Sequence, residues 1–248
     1  MKQPIRMERQ SGISLVEIMV SLVAGLILTA GVIQIYAANA QAYRVADANA
    51  RIQENARFAT QFLGMHVRMA GYRDDASQNF SDAFPAPSPP PYAGYSFAAG
   101  EVIRGGANEV VIRYQGDGVM RDCEDFSTVA AGTPVTVRLY LNNGALYCGT
   151  DLDAGGDQPL VPDVSQMTIL YGVDTDGDGT ANCFDQAANL NNAPPTTCGQ
   201  PSTAPWSQVV SARITLILQS AENNTSVTTG NRLQKTYSTT IAIRNRLP

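Results

Sequence analysis

The sequence predicts an α+β fold: one long N-terminal helix, membrane-spanning in its first half, packed on a mainly antiparallel β-sheet domain. Three observations carry this. From Ile18 to Tyr43 there are 26 residues without a formal charge, which as a helix span about 39 Å, enough to cross a bilayer core. From residue 41 to 71 the apolar positions Val45, Ala48, Ile52, Ala56, Ala59, Leu63 and His66 recur at three- and four-residue steps, the mark of one helical face. After residue 72 the patterns alternate in twos, as in half-buried strands.

The 248 residues suffice for that segment and one globular domain. A net charge of −5 disfavours nucleic acid as a partner. The single histidine, His66, excludes a histidine-rich metal site. No G-x-S-x-G or zinc-protease motif is present, so the chain reads as non-enzymatic. Asp122, Glu124 and Asp125 offer carboxylates for acid/base work but read as a loop beside Cys123.

The elements follow in order. Residues 1–12 form a leader in which Lys2, Arg6 and Arg9 outweigh Glu8. A basic flank before an apolar run predicts a cytoplasmic N-terminus and an exported remainder. Residues 13–40 form the membrane-spanning helix, and 41–72 its amphipathic continuation, with Gly71 as the stop. Residues 73–100 form a loop rich in proline (Pro85, Pro87, Pro89, Pro90 and Pro91), which wraps back over the domain and excludes a helix or central strand. Residues 101–248 form the β-rich domain. Its strands are expected at 108–115, 135–141, 145–149, 164–173, 208–219 and 234–244, with Asn143-Gly144 as a two-residue hairpin turn.

Four cysteines in an exported chain imply two disulfides. Three connectivities are open; the nearest-neighbour pairing, Cys123–Cys148 and Cys183–Cys198, is favoured, each contributing about 3 kcal/mol.

Glu17 stands out, because a carboxylate inside a membrane helix costs about 2.5–3.5 kcal/mol even on mild insertion scales. Cutting the chain after Gly12 would place the new ammonium of Ile13 four residues before it. A basic leader ending in glycine, followed by ISLVEIMVSLVAGLIL with glutamate fifth, resembles a type IV prepilin signal. The resemblance implies cleavage and N-methylation by a prepilin peptidase. Gly12 and Ile13 would be the processing residues and Glu17 the carboxylate that sets filament register. Ile13 stands where that family usually has phenylalanine. An ordinary secretory signal, cut near Ala38-Asn39-Ala40, is the alternative.

The run Arg51, Gln53, Glu54, Asn55, Arg57, Phe58, Ala59, closing in Arg68, Ala70, Gly71, Tyr72, resembles the PilW family of minor pilins. Arg73 and Asp74 replace the Gly-Cys that often follows there. This implies a pilin-like fold and a subunit that primes type IV pilus assembly near the tip. Its implied partners are other minor pilins, the major pilin, the inner-membrane assembly platform and a tip adhesin. Its implied location is the inner membrane with a periplasmic domain, then the pilus. A type II secretion pseudopilin, or a membrane-anchored periplasmic calcium-dependent binding protein using Tyr92, Tyr95 and Phe97, is the alternative.

One site-like motif lies in the domain. Asp174, Asp176 and Asp178, followed by Gly179, reproduce the D-x-D-x-D-G spacing of calcium loops. Counting from Asp174, Thr180 supplies position seven through its carbonyl, Asn182 position nine and Asp185 position twelve. The expectation is a structural Ca2+ in the loop 174–185, without EF-hand helices.

Overall fold

The structure, a computed structural model, describes residues 12–86, 94–124, 127–152, 156–191, 205–223 and 232–246. The leader up to residue 11 lies outside them. The chain divides into two compact units, one ending at Asp47 and one beginning at Ala48.

The first unit is helix. Helix α1 (Leu15–Met69) begins here and is unbroken for 55 residues. Its apolar residues in this unit find no cover among the described residues: Ile13, Leu28 and Tyr36 are 73%, 72% and 75% exposed. Its hydroxyls turn inward on the helix. Ser21 Oγ donates to the Glu17 carbonyl and Thr29 Oγ1 to that of Gly25, so these two hydroxyls of an apolar run are satisfied within it.

In the second unit α1 carries the core stripe. Ala48, Ile52, Ala56, Ala59, Leu63 and His66 are buried, as the periodicity requires, with Phe62, Gly64 and Val67 beside them. Val45, expected on the same face, lies in the first unit. Two antiparallel sheets follow. The first is β1 (Ile103–Gly105), β2 (Glu109–Gln115), β3 (Pro134–Asn142), β4 (Ala145–Thr150) and β5 (Gln158–Val161), in chain order. The second has the order β7-β6-β8-β9, built from β6 (Val164–Val173), β7 (Cys183–Asp185), β8 (Val209–Gln219) and β9 (Gln234–Ala242). Leu63, Val67, Ile112, Leu139, Leu146, Ile169, Tyr171, Ile214 and Leu216 belong to one continuous core.

Every strand with a long alternating pattern forms within two residues of its expected bounds. Asn143 and Gly144 both take positive φ (46° and 77°), the backbone of the tight turn their sequence favours. The strands β1, β5 and β7 were not expected; at three or four residues each they are too short to show a period. A four-residue helix α2 (Phe80–Ala83) forms in the stretch expected to hold none, because it precedes the first proline of the run. A five-residue helix α3 (Ala187–Asn191) follows β7. The flanks of the proline-rich stretch do cover the sheet: Phe84 and Phe97 are buried on either side of the Arg113 guanidinium, which donates to the Pro85 carbonyl. Residues 87–93, with Tyr92, lie outside the described residues.

Cys123 and Cys148 are joined, tying the loop after β2 to the middle of β4. Cys183 is disulfide-bonded as well, and Cys198, its expected partner, lies outside the described residues.

His66 is 2% exposed, its ring 4.4 Å from that of Phe62, and neither ring nitrogen has a hydrogen-bond partner. Burial pushes its pKa down from 6.5 to about 4. The unfolded chain therefore takes up this proton before the folded chain does as pH falls. Stability is complete above about pH 6.5 and drains away between 6.5 and 4, by about 3 kcal/mol at most. Denaturant melts from pH 7 to 4 should show this slope, and His66→Leu should remove it.

Candidate functional sites: the exposed helix and the acidic loop

Gly12 is exposed, precedes the helix, and has no atom within 4 Å of where a Cβ would stand. The Gly12–Ile13 bond thus lies in accessible, non-helical backbone. The helix starts on Ser14, whose carbonyl accepts from the N–H groups of Glu17 and Ile18. Glu17 occupies the first turn, where a carboxylate faces the positive end of the helix dipole. Ile13, Glu17 and Ser21 line one side of this end with Ile18 and Leu22. Tyr36 follows Glu17 by nineteen positions, about 28 Å along a helix and close to the thickness of a bilayer core. The carboxylate and the first aromatic ring of the helix therefore fit opposite interfaces of one membrane. The helix is long and apolar enough to cross it.

The acidic loop joins β6 to β7. The carboxylates of Asp174, Asp176 and Asp178 offer oxygens that all lie within 4.8 Å of one another. Glycine makes this turn possible: Gly177 and Gly179 have φ of 81° and 83°. Asp174 organises the loop. One of its oxygens accepts from Gly177 N at 2.7 Å, and the other from Gly179 N at 2.8 Å. Burial pushes this carboxyl up, but those N–H bonds outweigh it and hold it below the usual carboxylate range. Asp178 accepts from Thr180 N at 2.7 Å. Asn182 accepts from Thr175 N and donates to Asp176 Oδ2 at 3.2 Å, closing the loop on itself.

Asp185 departs from the expected ligand set. It is 2% exposed in β7, and its Oδ1 accepts from Gln186 N and Asn189 Nδ2, so it fastens the approach to α3 and stands outside the cluster of Asp174, Asp176 and Asp178. The counting failed because Cys183–Asp185 pair with Tyr171–Val173 as a strand, which carries position twelve away from position one. Three converging carboxylates suit a hard divalent cation, which takes six to eight oxygens. Each carboxylate offers one oxygen to the cluster, so the donor type fits and further oxygens would complete the shell, with Asn182 hydrogen-bonded to Asp176 beside it.

The other carboxylates considered for chemistry hold backbone. Asp122 accepts from Ser127 Oγ and Glu124 N, and Glu124 accepts from Thr150 N at 2.6 Å. They fasten the disulfide loop to β4. Asp125 lies outside the described residues. Tyr95 donates to the Glu109 carboxylate, which also pairs with Arg138 at 2.6 Å, and Arg138 stacks on Tyr140 at 4.0 Å. Tyr95 and the buried Phe97 are thus engaged in packing.

Residues 127–245, from just before β3 through β9, match the sequence model of the family described as Type IV Pilus-assembly protein W, PilW. No curated protein matches. Among solved structures, a type IV-like pilin from Thermus thermophilus is similar at 12% identity and a TM-score of 0.44, covering 79% of this chain and 98% of that one.

Proposed function

We propose, from the match of residues 127–245 to the type IV pilus-assembly protein W family, that this chain is a minor pilin, a non-enzymatic subunit of type IV pilus assembly. The observation that carries the reading lies outside the matched region: an apolar helix, exposed from Ile13 to Tyr36 and headed by Glu17. A prepilin peptidase cuts between Gly12 and Ile13 and methylates the new amine. The leader takes with it three basic and one acidic residue, a charge of +2, so the mature chain carries −5 − 2 = −7. The helix holds the subunit in the inner membrane, its domain in the periplasm, until the assembly platform moves it into a filament among other minor pilins and the major pilin, near a tip adhesin. There helices of neighbouring subunits replace lipid, and Glu17 neutralises an adjacent terminal ammonium. The PilW match favours the pilus over a type II secretion pseudopilin.

Glu17→Leu separates anchoring from assembly. Insertion becomes easier by about 3 kcal/mol, so the variant stays in the membrane. Filament incorporation falls on the order of a hundredfold, since removing one member of a buried ion pair costs about 3–5 kcal/mol. Quantifying the protein in membrane and sheared-pilus fractions reads both effects. Undiminished incorporation would contradict the role given to Glu17.

The acidic loop holds a structural Ca2+ through Asp174, Asp176 and Asp178, with the Thr180 carbonyl and Asn182 beside them. Saturating calcium should stabilise the full chain in detergent by about 2–3 kcal/mol, raising Tm by several degrees, and EDTA should reverse it. In Asp176→Asn/Asp178→Asn the shift should vanish. Absence of a calcium-dependent shift or heat in the natural chain would sink this assignment.

A further inference from the structure

Two sheets have four edges, and three are closed to further pairing. Strands β1 and β7 are three residues long. Strand β5 has four, contains Pro159, and meets β4 through a bulge. Short length, proline, bulges and charged side chains are among the devices by which proteins blunt sheet edges. The fourth edge, β9, is long, has no proline or bulge, and carries a single charge, Lys235, near its start. It runs nine residues without proline, and its register with β8 is unbroken from Ser211↔Ala242 to Gln219↔Gln234.

The phase of that ladder tells which backbone groups are free. At one end Ile243 N donates to the Val210 carbonyl, and at the other Ser220 N donates to that of Leu233. In an antiparallel pair such residues alternate with ones whose N–H and C=O point away. Lys235, Tyr237, Thr239 and Ile241 therefore bond β8, while Gln234, Thr236, Ser238, Thr240 and Ala242 face outward. All five are exposed, and among the described residues their backbone groups have no bonding partner. Their side chains are held on the sheet: Thr240 Oγ1 accepts from Arg213 Nε, and the hydroxyls of Ser238 and Thr215 lie 3.1 Å apart. Among the described residues the row of outward backbone donors and acceptors is left unpaired.

We infer that β9 is an assembly edge, onto which an extended segment of another subunit adds as a tenth strand. This rests on the pilus reading above. Backbone pairing demands an extended peptide with free alternate amides, hence without proline. Its side chains beside half-buried Tyr237 and buried Ile241 are apolar, and those beside Thr236, Ser238 and Thr240 are small or hydroxylated. The only charge on β9 is Lys235, so an acidic residue stands opposite that end. A second copy fits poorly. Antiparallel self-pairing needs a two-fold axis, which subunits pointing the same way along a filament lack, and it would set Lys235 against Ile241.

Amide hydrogen exchange on the mature full-length chain tests this, comparing protein isolated in detergent with protein in the pilus fraction. In isolation the amides of Thr236, Ser238 and Thr240 exchange freely while those of Tyr237 and Thr239 are protected. In the assembly the first three slow by about a hundredfold or more. Ser238→Pro removes an outward N–H and one exposed hydroxyl contact, to Thr215, and leaves every ladder bond to β8 in place. It leaves the melt of the isolated protein within a few degrees and lowers recovery in pili about tenfold or more. Outward amides that still exchange freely in assembled chain, or normal assembly of folded Ser238→Pro, would overturn the edge and leave the pilin reading standing. A dimeric isolated chain with those amides already protected would replace the partner strand by a second copy and so overturn the inference. Absence of the natural chain from pili would overturn both.

Discussion

A stretch of apolar helix from Ile13 to Tyr36, uncovered among the described residues, is the constraint on which the rest depends. At about 25 cal/mol per Å2, so much apolar surface cannot remain in water. Lipid or other helices must cover it. The inward-bonded hydroxyls of Ser21 and Thr29 make the same helix acceptable to either environment, and only Glu17 distinguishes them. In lipid it sits at an interface; among helices it needs a cation. On the assembly reading proposed above, this one carboxylate would separate storage in a membrane from incorporation among helices, which gives its place in the first turn its weight.

The same helix supplies the domain's core. Small residues at Ala56 and Ala59 and larger ones at Ile52, Leu63 and Val67 enter one hydrophobic core with both sheets. Several loops between strands are held by single carboxylates that accept backbone N–H groups: Asp174 in the acidic loop, Glu124 at β4 and Asp185 before α3. Spacing along the sequence could not show this, since Asp185 matches a ligand position by count but is bonded to Gln186 and Asn189 at the start of α3.

Elements whose pattern spans at least two turns or two strand repeats were legible in the sequence. The stripe from Ala48 to His66, the β3–β4 hairpin and the strand Val164–Val173 are of this kind. What escaped was set by tertiary context. Strands β1, β5 and β7 exist because a longer neighbour offers them a ladder, which no three-residue pattern announces. The split into two sheets was equally invisible, because alternation reports which face is buried and not which strand lies alongside. The edge at β9 could have been suspected from nine residues with one charge and no proline, yet only strand order shows that among the described residues no further strand pairs with it.

The central claim is that the apolar helix is a processed assembly element rather than a plain anchor or a discarded export signal. The intact mass and N-terminal residue of the protein extracted from its native membranes test this most directly. The account predicts a chain that begins at N-methylated Ile13. A chain that begins at Gln41, or that retains Met1 and the whole leader, would contradict it.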